Sequence, residues 1–564
     1  MNNSQRRRLW LVIIGLIFAT TIIVGRLVAF QIIQGETWAE RTSDTVRVIA
    51  QPKRGTIYDR NGTVIAANGA DYSIGASPDL VYQSTELATA LAPILQRPTY
   101  EILGALESEQ KFVMLEGRVS DDIAEAVREL PYNGLQIDPL ARRFYPQGEL
   151  MCHTIGHVDY ENVGGGGIEG YYQQELAGEA ASAEINISPL TPQENVIARE
   201  GADLVLTIDR TVQYTVEKHL IQALREHGAP TGTIVVMNPK TGAVLGMASA
   251  PCYDPYVFFE ADETLLFNPL VSQQFEPGSV MKLITMAAAL DAGVVTPNST
   301  YYDSGTLEVG GHRTVNWDRS APGTVDMTTL LARSLNVGAA TLSTWMGPES
   351  YYNYMQAFGF GRPTGIDILS EATGLMPLPG DSNWTESFLA TNSYGQGLAV
   401  TSLQMTAAIS ALANDGYLMQ PYVVEEVHTP QGTRRHEPTV LSRPIRPEIA
   451  QQMTNMAITA VAREVSEAHV EGYTIAGKTG TAQIPENGIY HPTDVIGSFV
   501  GWLPADNPEI VVFVKIDRPT SAPWGSKTAA PTFAKLVEEL VILLNIPPDN
   551  VRLQADILAA RPNP

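Results

Sequence analysis

Three short motifs occur in order along this chain, and together they constrain its fold more than any other feature. They are Ser-Val-Met-Lys at 279–282, Ser-Leu-Asn at 334–336 and Lys-Thr-Gly at 478–480. The set supplies a nucleophilic hydroxyl, a nearby amine, a second hydroxyl and a cation that can bind a carboxylate. This is the equipment for attacking an amide through a serine ester. It works only if segments distant in sequence converge on one hydroxyl.

The residues around Ser279 predict that Lys282 lies beside it. Ser279 follows a turn at Phe275–Gly278 and precedes the apolar run Leu283–Leu290, which indicates the start of a helix. Residues three apart share a helix face, so Lys282 can reach the hydroxyl. The helix N-terminus also presents free backbone N–H groups to developing negative charge. An ordinary N-cap serine is the alternative, and it would be preferred if the motif stood alone.

The chain contains a second copy of two motifs, and the context separates the copies. Ser108–Lys111 is also Ser-x-x-Lys, but it lies in a polar stretch before a strand-like run. Lys240–Gly242 is also Lys-Thr-Gly, but it follows Asn-Pro between two apolar strands, which is typical of a hairpin turn. Lys478–Gly480 lies in an extended segment of small residues, where glycine lets a ligand approach the backbone closely. We therefore favour Ser279 and Lys478 as the functional members.

The remaining polar candidates are weaker. Ser334 and Asn336 follow a helical stretch and can both point into a cleft, although a helix boundary with local hydrogen bonds is the alternative. Thr401 and Gln404 fit a capping box and are interpreted as structural, as is the Gly-Gln-Gly at 395–397. The loop with His312, Asn316 and Trp317 is expected to be packed, and the alternative is that these residues line a cleft. The sequence shows no metal-ligand spacing, nucleophile elbow or phosphate-binding loop, so no metal or cofactor is predicted.

A charge-free apolar run from Leu9 to Gly25 follows the basic cluster Arg6–Arg8. At ~1.5 Å per residue this run nearly crosses the hydrocarbon layer, and Arg26 can extend to the membrane surface. The preceding arginines predict a cytoplasmic N-terminus and an exported remainder. A cleaved signal peptide and a buried soluble helix are the alternatives. The length of the run and its basic flank favour an uncleaved anchor.

Composition narrows the class of protein further. A chain of 564 residues is too long for one core, so two or more domains are expected. The net charge of −24 argues against nucleic-acid binding, which requires a basic surface. The two cysteines, Cys152 and Cys252, cannot form a disulfide framework and are far apart in sequence. Buried free thiols are expected, with one disulfide in an oxidising exterior as the alternative.

The pattern of apolar and polar residues along the chain predicts its division into domains. Thr56–Asn61 predicts a strand leading into an Asn-Gly turn, with a return strand at Thr63–Ala67. Apolar helices and strands run from about residue 203 to 545, and the polar segment Pro547–Pro564 is expected to be loosely held. The resulting division is a tail at 1–8, an anchor at 9–30, a strand-rich module at 40–200, a catalytic domain at 203–545 and a polar tail at 546–564.

The chain resembles the class B penicillin-binding proteins, membrane-anchored D,D-transpeptidases that cross-link peptidoglycan. Besides the three motifs, the resemblance rests on Gly55–Gly62, Phe275–Gly278 and two signatures of the family's pedestal, Arg142–Pro146 and Gly167–Gly170. It extends from the anchor to about residue 545. The Glu-Pro-Gly-Ser form and the overall length are more similar to the division-specific (septal) branch than to the elongation branch.

The resemblance implies an α+β fold, in which an antiparallel sheet flanked by helices, as in serine β-lactamases, stands on a β-rich pedestal. Ser279 would attack the penultimate D-Ala carbonyl of a stem pentapeptide, with Lys282 as general base. A base near pH 7 needs its pKa lowered by about 3 units, which burial and the charge of Lys478 both favour. Ser334 would pass the proton to the leaving amine.

The other implied roles concern substrate binding. Asn336 would hold the substrate amide, and Lys478 with Thr479 would bind the terminal carboxylate. Gly480 would permit close approach, and the backbone N–H groups of Ser279 and Thr481 would form the oxyanion hole. The implied partners are peptidoglycan stem peptides, β-lactams as covalent inhibitors, divisome proteins and a SEDS-family glycosyltransferase that contacts the anchor and pedestal.

Three other functions use the same features. A D,D-carboxypeptidase has the same residues with water as the acceptor, and the pedestal and anchor favour transpeptidation over it. A β-lactamase has no use for a large N-terminal module. A non-catalytic β-lactam sensor or division scaffold is the alternative from another class, and a sensor should carry a cytoplasmic signalling region. Only about eight residues precede the anchor.

Overall fold

The computed structural model describes residues 3–29, 45–50, 52–186, 196–486 and 489–559. They belong to two compact units, a smaller one of Met1–Lys53 with Gly178–Gly201 and a larger one of Arg54–Ala177 with Ala202–Pro564. The three motifs all lie in the larger unit.

The smaller unit contains the apolar N-terminal helix. This helix runs over Asn3–Val28, and strand Thr45–Ala50 pairs antiparallel with Ala181–Asn186. The segment Trp10–Val28 has a mean hydropathy of 2.5, and its side chains are exposed along its length. By length and composition, this helix fits a single-pass membrane anchor.

The larger unit is mixed α and β. Its strands are Ile57–Tyr58, Val64–Ala76, Val113–Val119, Leu135–Phe144, His157–Val158, Gly164–Gly165, Asp203–Leu206, Thr231–Met237, Val244–Ala250, Thr300–Asp303, Thr306–Val309, His312–Val315, Gly323–Asp326, Leu418–Met419, Val424–Thr429, Gly432–Arg435, Val440–Ser442, Ala476–Glu486, Ile489–Leu503 and Ile510–Asp517. Its α-helices are Ser84–Leu95, Thr99–Leu106, Asp121–Arg128, Cys152–Ile155, Gly167–Tyr171, Gln173–Ala177, Arg210–His227, Pro269–Ser272, Met281–Asp291, Met327–Ala332, Asn336–Met346, Pro348–Ala357, Glu386–Ser393, Ser402–Leu412, Pro447–Glu464, Ala529–Leu543 and Asp549–Ala559. Short 3-10 helices lie at Pro78–Leu80, Pro255–Glu260, Glu263–Leu266, Gly278–Val280 and Ser466–Ala468.

A five-stranded antiparallel sheet, here called the central sheet, organises the part that carries the motifs. Its strand order is Val244–Ala250, Thr231–Met237, Ile510–Asp517, Ile489–Leu503 and Ala476–Glu486. The Lys-Thr-Gly motif at 478–480 therefore lies on an edge strand. An edge strand keeps one row of backbone groups available to a ligand.

Helices cover both faces of the central sheet. Along Ile510–Asp517 the side chains alternate, with Val511 and Phe513 in one hydrophobic core and Val512 and Val514 in the other. The covering helices include Met281–Asp291, Asn336–Met346 and Pro447–Glu464 on the first face and Arg210–His227 and Ala529–Leu543 on the second. The α+β architecture expected from the resemblance is confirmed.

A second sheet combines strands from before residue 203 with strands from the later part of the chain. Its order is Gly432–Arg435, Val424–Thr429, Asp203–Leu206, Ile57–Tyr58, Val64–Ala76 and Val113–Val119, and Leu135–Phe144 also pairs with Val64–Ala76. The predicted Asn-Gly turn at 61–62 joins two of these strands, and the return strand continues to Ala76, well beyond the expected Ala67.

The pedestal signatures meet in one buried ionic cluster. Arg54 Nε lies 2.7 Å from one carboxylate oxygen of Glu169, and Arg143 Nε lies 2.6 Å from the other. The side chains of all three residues are almost fully inaccessible to solvent. Removing one partner of such a buried network leaves an unpaired charge, which costs far more than the pair contributes. Glu169 therefore joins the segments that carry Arg54 and Arg143, and the cluster fixes three distant segments relative to one another.

The expectation of free thiols is wrong, because Cys152 and Cys252 form a disulfide with a Cα–Cα distance of 6.3 Å. Cys152 opens helix Cys152–Ile155, and Cys252 follows strand Val244–Ala250. The helix packs against this strand, which brings two cysteines separated by 100 residues together. Sequence separation alone could not reveal this contact.

Replacing both Cys152 and Cys252 with serine should lower the stability of the oxidised protein by about 2–5 kcal/mol, because the bond closes a loop of roughly 100 residues. The measurement is the melting temperature with and without a reductant. Reductant should lower the value for the wild type and leave that of the double variant unchanged. An unchanged wild-type value, with both thiols shown to be free, would contradict the assignment.

The C-terminal segment is also more ordered than expected from its polarity. Helix Asp549–Ala559 is attached to the domain by Arg552, whose two terminal guanidinium nitrogens each lie 2.6 Å from an oxygen of Asp506. Ile546 is buried, and its carbonyl accepts a hydrogen bond from Tyr473. The segment is therefore attached to the domain as far as Arg552, contrary to the expectation of a loose tail there, and residues 560–564 lie outside the described part.

Candidate active site

Ser279 lies where a short 3-10 turn enters the long buried helix Met281–Asp291. The turn covers Gly278–Val280, and every residue from Met281 to Leu290 is buried. Ser279 is half-buried and Lys282 is 1% exposed. The predicted helix start and the shared helix face are confirmed, because Lys282 Nζ lies 2.9 Å from Ser279 Oγ.

The Lys282 amine is surrounded by oxygen acceptors. It lies 2.7 Å from the Ser334 carbonyl oxygen, 2.7 Å from Asn336 Oδ1 and 3.1 Å from Ser334 Oγ. A neutral amine has two N–H groups and one lone pair. The two carbonyl oxygens can only accept, so they take both N–H groups and leave the lone pair for a hydroxyl. The arrangement fits a neutral Lys282 that accepts the proton of Ser279.

The two lysines of the site have different environments. Burial, and then the positive charge of Lys478, hold the pKa of Lys282 well below its usual value. Burial lowers the pKa of Lys478 to about 8, while Glu464 opposes that shift. Near pH 7 Lys478 therefore retains its proton, and the lowered pKa of Lys282 favours its neutral form more than that of an ordinary lysine. The two environments therefore fit different roles for two groups of one type, a cation at Lys478 and a base at Lys282.

The edge strand Ala476–Glu486 packs directly against the nucleophile turn. A Cβ atom added to Gly480 would lie 2.9 Å from Val280 Cγ2 and 3.1 Å from the carbonyl oxygen of Pro277, and would also collide with Ser498. Only glycine permits this approach. Lys478, which is 3% exposed, donates to the carbonyl oxygen of Thr479 at 3.0 Å and lies 3.4 Å from Thr479 Oγ1.

The strand is also braced from its other side. Thr481 Oγ1 accepts a hydrogen bond of 3.2 Å from the backbone N–H of Gly525, which begins the approach to helix Ala529–Leu543. The oxyanion hole is predicted to use the backbone N–H groups of Ser279 and Thr481. These residues lie on neighbouring segments, since the carbonyl of Thr481 packs against Gly278. Their joint action stays a prediction.

The Ser-Leu-Asn motif supplies the other groups that contact the Lys282 amine. Ser334 adopts a left-handed conformation, with φ of 57°, directly after Arg333, the C-cap residue of helix Met327–Ala332. That conformation is uncommon for serine and presents both its carbonyl and its hydroxyl to Lys282. Asn336 accepts from Lys282 and donates from Nδ2 to the Val315 carbonyl at 3.0 Å. Asn336 thus positions the base, and its predicted bond to substrate would use its second N–H.

The Gly-Gln-Gly segment at 395–397 has a positioning role that sequence reasoning missed. The N–H of Gly278 donates to the Gly395 carbonyl at 3.0 Å, and a Cβ at Gly395 would collide with the Gly278 backbone. The N–H of Gly397 donates to Glu276 at 2.9 Å. The segment therefore clamps the turn that carries Ser279. The capping box of Thr401 and Gln404 is confirmed.

An aromatic pair connects the segment next to Ser334 with the segment next to Gly525. Trp317 donates from Nε1 to the Arg333 carbonyl, next to Ser334, and its ring lies 5.5 Å from the ring of Trp524 in a T-shaped contact. Trp524 directly precedes Gly525. Both rings are about half exposed. Trp317 is thus placed at the cleft, and the expectation of a fully packed loop holds only for Asn316, which is buried against Asp303.

The duplicate motifs lie elsewhere. Lys240 is in the hairpin between two central-sheet strands, and its amine bonds Asn507 at 2.6 Å. Ser108 follows helix Thr99–Leu106, and strand Val113–Val119 comes after it. Neither joins the cleft. Among described residues, the group that could hold a metal ion is Cys152, His153 and Cys252, which includes no residue of the cleft.

Lys478→Ala and Lys240→Ala form a matched pair that tests this separation. Lys478→Ala should reduce the rate of acylation by a fluorescent penicillin by about 10²–10³, because it removes the buried cation that is expected to bind the carboxylate of the penicillin. Lys240→Ala should leave the rate unchanged, since its amine is at the surface. Both rates are measured by quenching the reaction with the fluorescent penicillin at successive times and quantifying the labelled protein. Equal effects of the two substitutions would contradict the assignment.

The chain matches two family models. Residues 232–538 match the penicillin-binding protein transpeptidase domain, and residues 49–206 match the penicillin-binding protein dimerisation domain. The first match alone covers more than half of the chain. The chain belongs to the penicillin-binding protein transpeptidases, of the class B type in which a transpeptidase domain follows a dimerisation domain.

Two curated proteins are similar over nearly the full length. Stage V sporulation protein D of Bacillus subtilis is 32% identical over 97% of this chain and 87% of its own length. The probable peptidoglycan D,D-transpeptidase PbpC of Pseudomonas aeruginosa is 31% identical over 98% of both chains.

Solved structures share the fold. A peptidoglycan synthetase from Bifidobacterium adolescentis has a TM-score of 0.73 at 25% identity, covering 90% of this chain and 98% of that one. Penicillin-binding protein 3 of Mycobacterium tuberculosis, complexed with aztreonam, has a TM-score of 0.70 at 28% identity, covering 89% and 98%.

Proposed function

We propose that this protein is a D,D-transpeptidase that cross-links peptidoglycan stem peptides through an acyl-enzyme on Ser279. The observation that carries the proposal is the position of the buried Lys282 amine, 2.9 Å from Ser279 Oγ and held by two acceptor-only oxygens. Such an amine is a general base ready to take a hydroxyl proton.

The reaction divides into two transfers. Lys282 takes the proton of Ser279 as Oγ bonds to the penultimate D-Ala carbonyl carbon. The tetrahedral oxyanion is bound by the backbone N–H groups of Ser279 and Thr481, where one donor contributes ~3–4 kcal/mol. The C–N bond then breaks, and the terminal D-Ala amine leaves with a proton delivered through Ser334. An amine from a second stem attacks the ester and releases Ser279 with its proton.

The binding roles follow from charge and shape. Lys478 keeps its positive charge near pH 7 and, with Thr479, binds the terminal carboxylate of the donor stem. Gly480 lets the donor backbone lie against the edge strand, and Asn336 binds a donor amide through its free N–H. The aromatic pair of Trp317 and Trp524 lies close to these groups, because Trp317 bonds the carbonyl next to Ser334 and Trp524 precedes Gly525.

The N-terminal helix supports a location at the cell membrane, with the N-terminus cytoplasmic and the catalytic domain outside. We assign residues 40–200 to the pedestal and 203–545 to the catalytic domain. The Glu-Pro-Gly-Ser turn supports work in septal wall synthesis with divisome proteins. Glycan polymerisation would then come from a SEDS-family glycosyltransferase that contacts the anchor and pedestal.

The decisive assay supplies the full-length protein with a stem pentapeptide donor and an excess of a stem bearing a free side-chain amine. We expect release of D-Ala with formation of a cross-linked dimer, both abolished by penicillin. A tetrapeptide without any dimer would identify a carboxypeptidase. Absence of D-Ala release, with Ser279 still acylated by penicillin, would indicate a sensor or scaffold.

A further inference from the structure

The disulfide lies beside a histidine. His153 Nδ1 lies 3.2 Å from the sulfur of Cys152 and 3.8 Å from the sulfur of Cys252. Cys152 and His153 are buried, at 2% and 4% exposed, and Cys252 is half-buried. Two sulfurs and one ring nitrogen therefore converge on one point with an opening on the Cys252 side.

The spacing of these atoms matches that of a tetrahedral zinc site. With Zn–S of ~2.3 Å and Zn–N of ~2.0–2.1 Å, ligand atoms at the tetrahedral angle are about 3.5 Å apart for S···N and about 3.8 Å apart for S···S. The two S···N distances already bracket the first value. Only the two sulfurs need to separate, which reduction of their bond permits.

The surroundings fix the histidine in the tautomer that a metal needs. His153 Nε2 lies 2.9 Å from the Leu265 carbonyl oxygen, which can only accept, so Nε2 carries the proton and Nδ1 keeps its lone pair. The Ser249 hydroxyl lies 2.8 Å from Nδ1 and donates a hydrogen bond to this lone pair, so a metal on Nδ1 would have to displace that bond. A hydrogen bond from the second ring nitrogen is the usual support of a metal-binding histidine.

We propose that the reduced chain binds Zn²⁺ through Cys152, Cys252 and His153, with a fourth position for the Ser249 hydroxyl or water. Zinc and the disulfide are alternative states of one site. Metal binding releases one proton from each thiol. Oxidation removes two electrons from the two thiolates, an S–S bond forms between them, and Zn²⁺ leaves. The electrons pass to an extracytoplasmic oxidoreductase, whose own disulfide takes up two protons from water and becomes a dithiol.

Both states cross-link the same two segments, helix Cys152–Ile155 and the end of strand Val244–Ala250. A newly made chain has both thiols reduced, so the zinc state is available before any oxidant acts. The metal would then join these segments before the permanent bond forms.

Cobalt spectroscopy tests the site directly. The full-length protein in detergent is reduced with a phosphine, freed of reductant under nitrogen and titrated with Co²⁺. We expect one equivalent to bind with thiolate-to-cobalt charge-transfer absorption, to be displaced by Zn²⁺, and to be absent from oxidised protein. Reduced protein without that absorption would overturn the proposal.

Variants assign the ligands. His153→Gln should weaken cobalt binding by ~100-fold or more, since even changes outside the ligand shell cost 10–100-fold. The Cys152→Ser, Cys252→Ser double variant should show no charge-transfer band. Labelling of Ser279 by fluorescent penicillin reports that each variant is folded. Unchanged affinity in His153→Gln would exclude the histidine and overturn the three-ligand site.

A measurement on the wild type alone covers the case of variants that do not fold. Zn²⁺ should slow the alkylation of both thiols in the reduced protein by at least tenfold, with excess chelator restoring the original rate. Equal alkylation rates with and without Zn²⁺ would overturn the proposal.

Discussion

Ser279→Ala is expected to abolish covalent labelling by a fluorescent penicillin while leaving the fold intact. The substitution removes the hydroxyl assigned as the nucleophile, so acylation should fall by roughly 10⁴–10⁶. The substitution removes one half-buried oxygen, and the melting temperature should change by only a few degrees. Gel fluorescence and thermal denaturation measure the two quantities.

The chain supplies a matched control in its other Ser-x-x-Lys sequence. Ser108→Ala should label like the wild type, because Ser108 lies in the pedestal, apart from the cleft. Persistent labelling of Ser279→Ala would contradict the assignment of the nucleophile, and loss of labelling in Ser108→Ala would contradict the separation of the two motifs.

Lys282→Arg is expected to reduce the acylation rate by about 10²–10⁴, which is the usual contribution of a general base. Arginine keeps a positive charge but cannot give up its proton in a protein, so it separates the role of a base from that of a cation. Acylation kinetics with a chromogenic β-lactam measure the effect. A rate within tenfold of the wild type would mean that Lys282 acts only by its charge.

The pH dependence follows from the same pair of lysines. The wild-type acylation rate should rise with pH as Lys282 loses its proton and should level off well below pH 10, because the pKa of Lys282 is lowered by burial and by Lys478. Lys478→Ala removes the second cause, so its remaining activity should require a higher pH. A shift to lower pH would contradict the coupling.

Much of the site could be predicted from the sequence because it is local. Ser279 and Lys282 share a helix face by their spacing alone, and the capping box of Thr401 and Gln404 follows from the two residue types. The hairpin at Lys240–Gly242 was recognisable from its turn residues and flanking strands. In each case the interacting residues are close in sequence, so local propensity and geometry determine the contact.

The contacts that could not be predicted join distant segments. The bond from Lys282 to Asn336 depends on how two helices pack, and the clamp of Gly395 on Gly278 depends on the path of a loop. Cys152 and Cys252 are 100 residues apart, so their bond becomes evident only when a helix and a strand are seen to pack. Lys478 could be predicted as a site residue only from its Lys-Thr-Gly motif, because no rule of residue spacing relates it to Ser279.

The difference in protonation between the two lysines is the physical basis of the proposed mechanism. One amine must be neutral to accept a proton and the other must be charged to hold a carboxylate, although both are buried. The two amines are close enough to interact, so the positive charge of Lys478 disfavours a second charge on Lys282 and helps to keep Lys282 neutral. A single buried lysine could not perform both roles at one pH.

Mass-spectrometric mapping of the penicillin adduct tests most directly whether two lysines serve one hydroxyl. After brief acylation and proteolysis of the wild type and of Lys478→Ala, the penicilloyl mass should appear on the peptide with Ser279, at far lower yield in the variant. An adduct on a peptide without Ser279, or equal yields from the two proteins, would show that these residues do not form one catalytic centre.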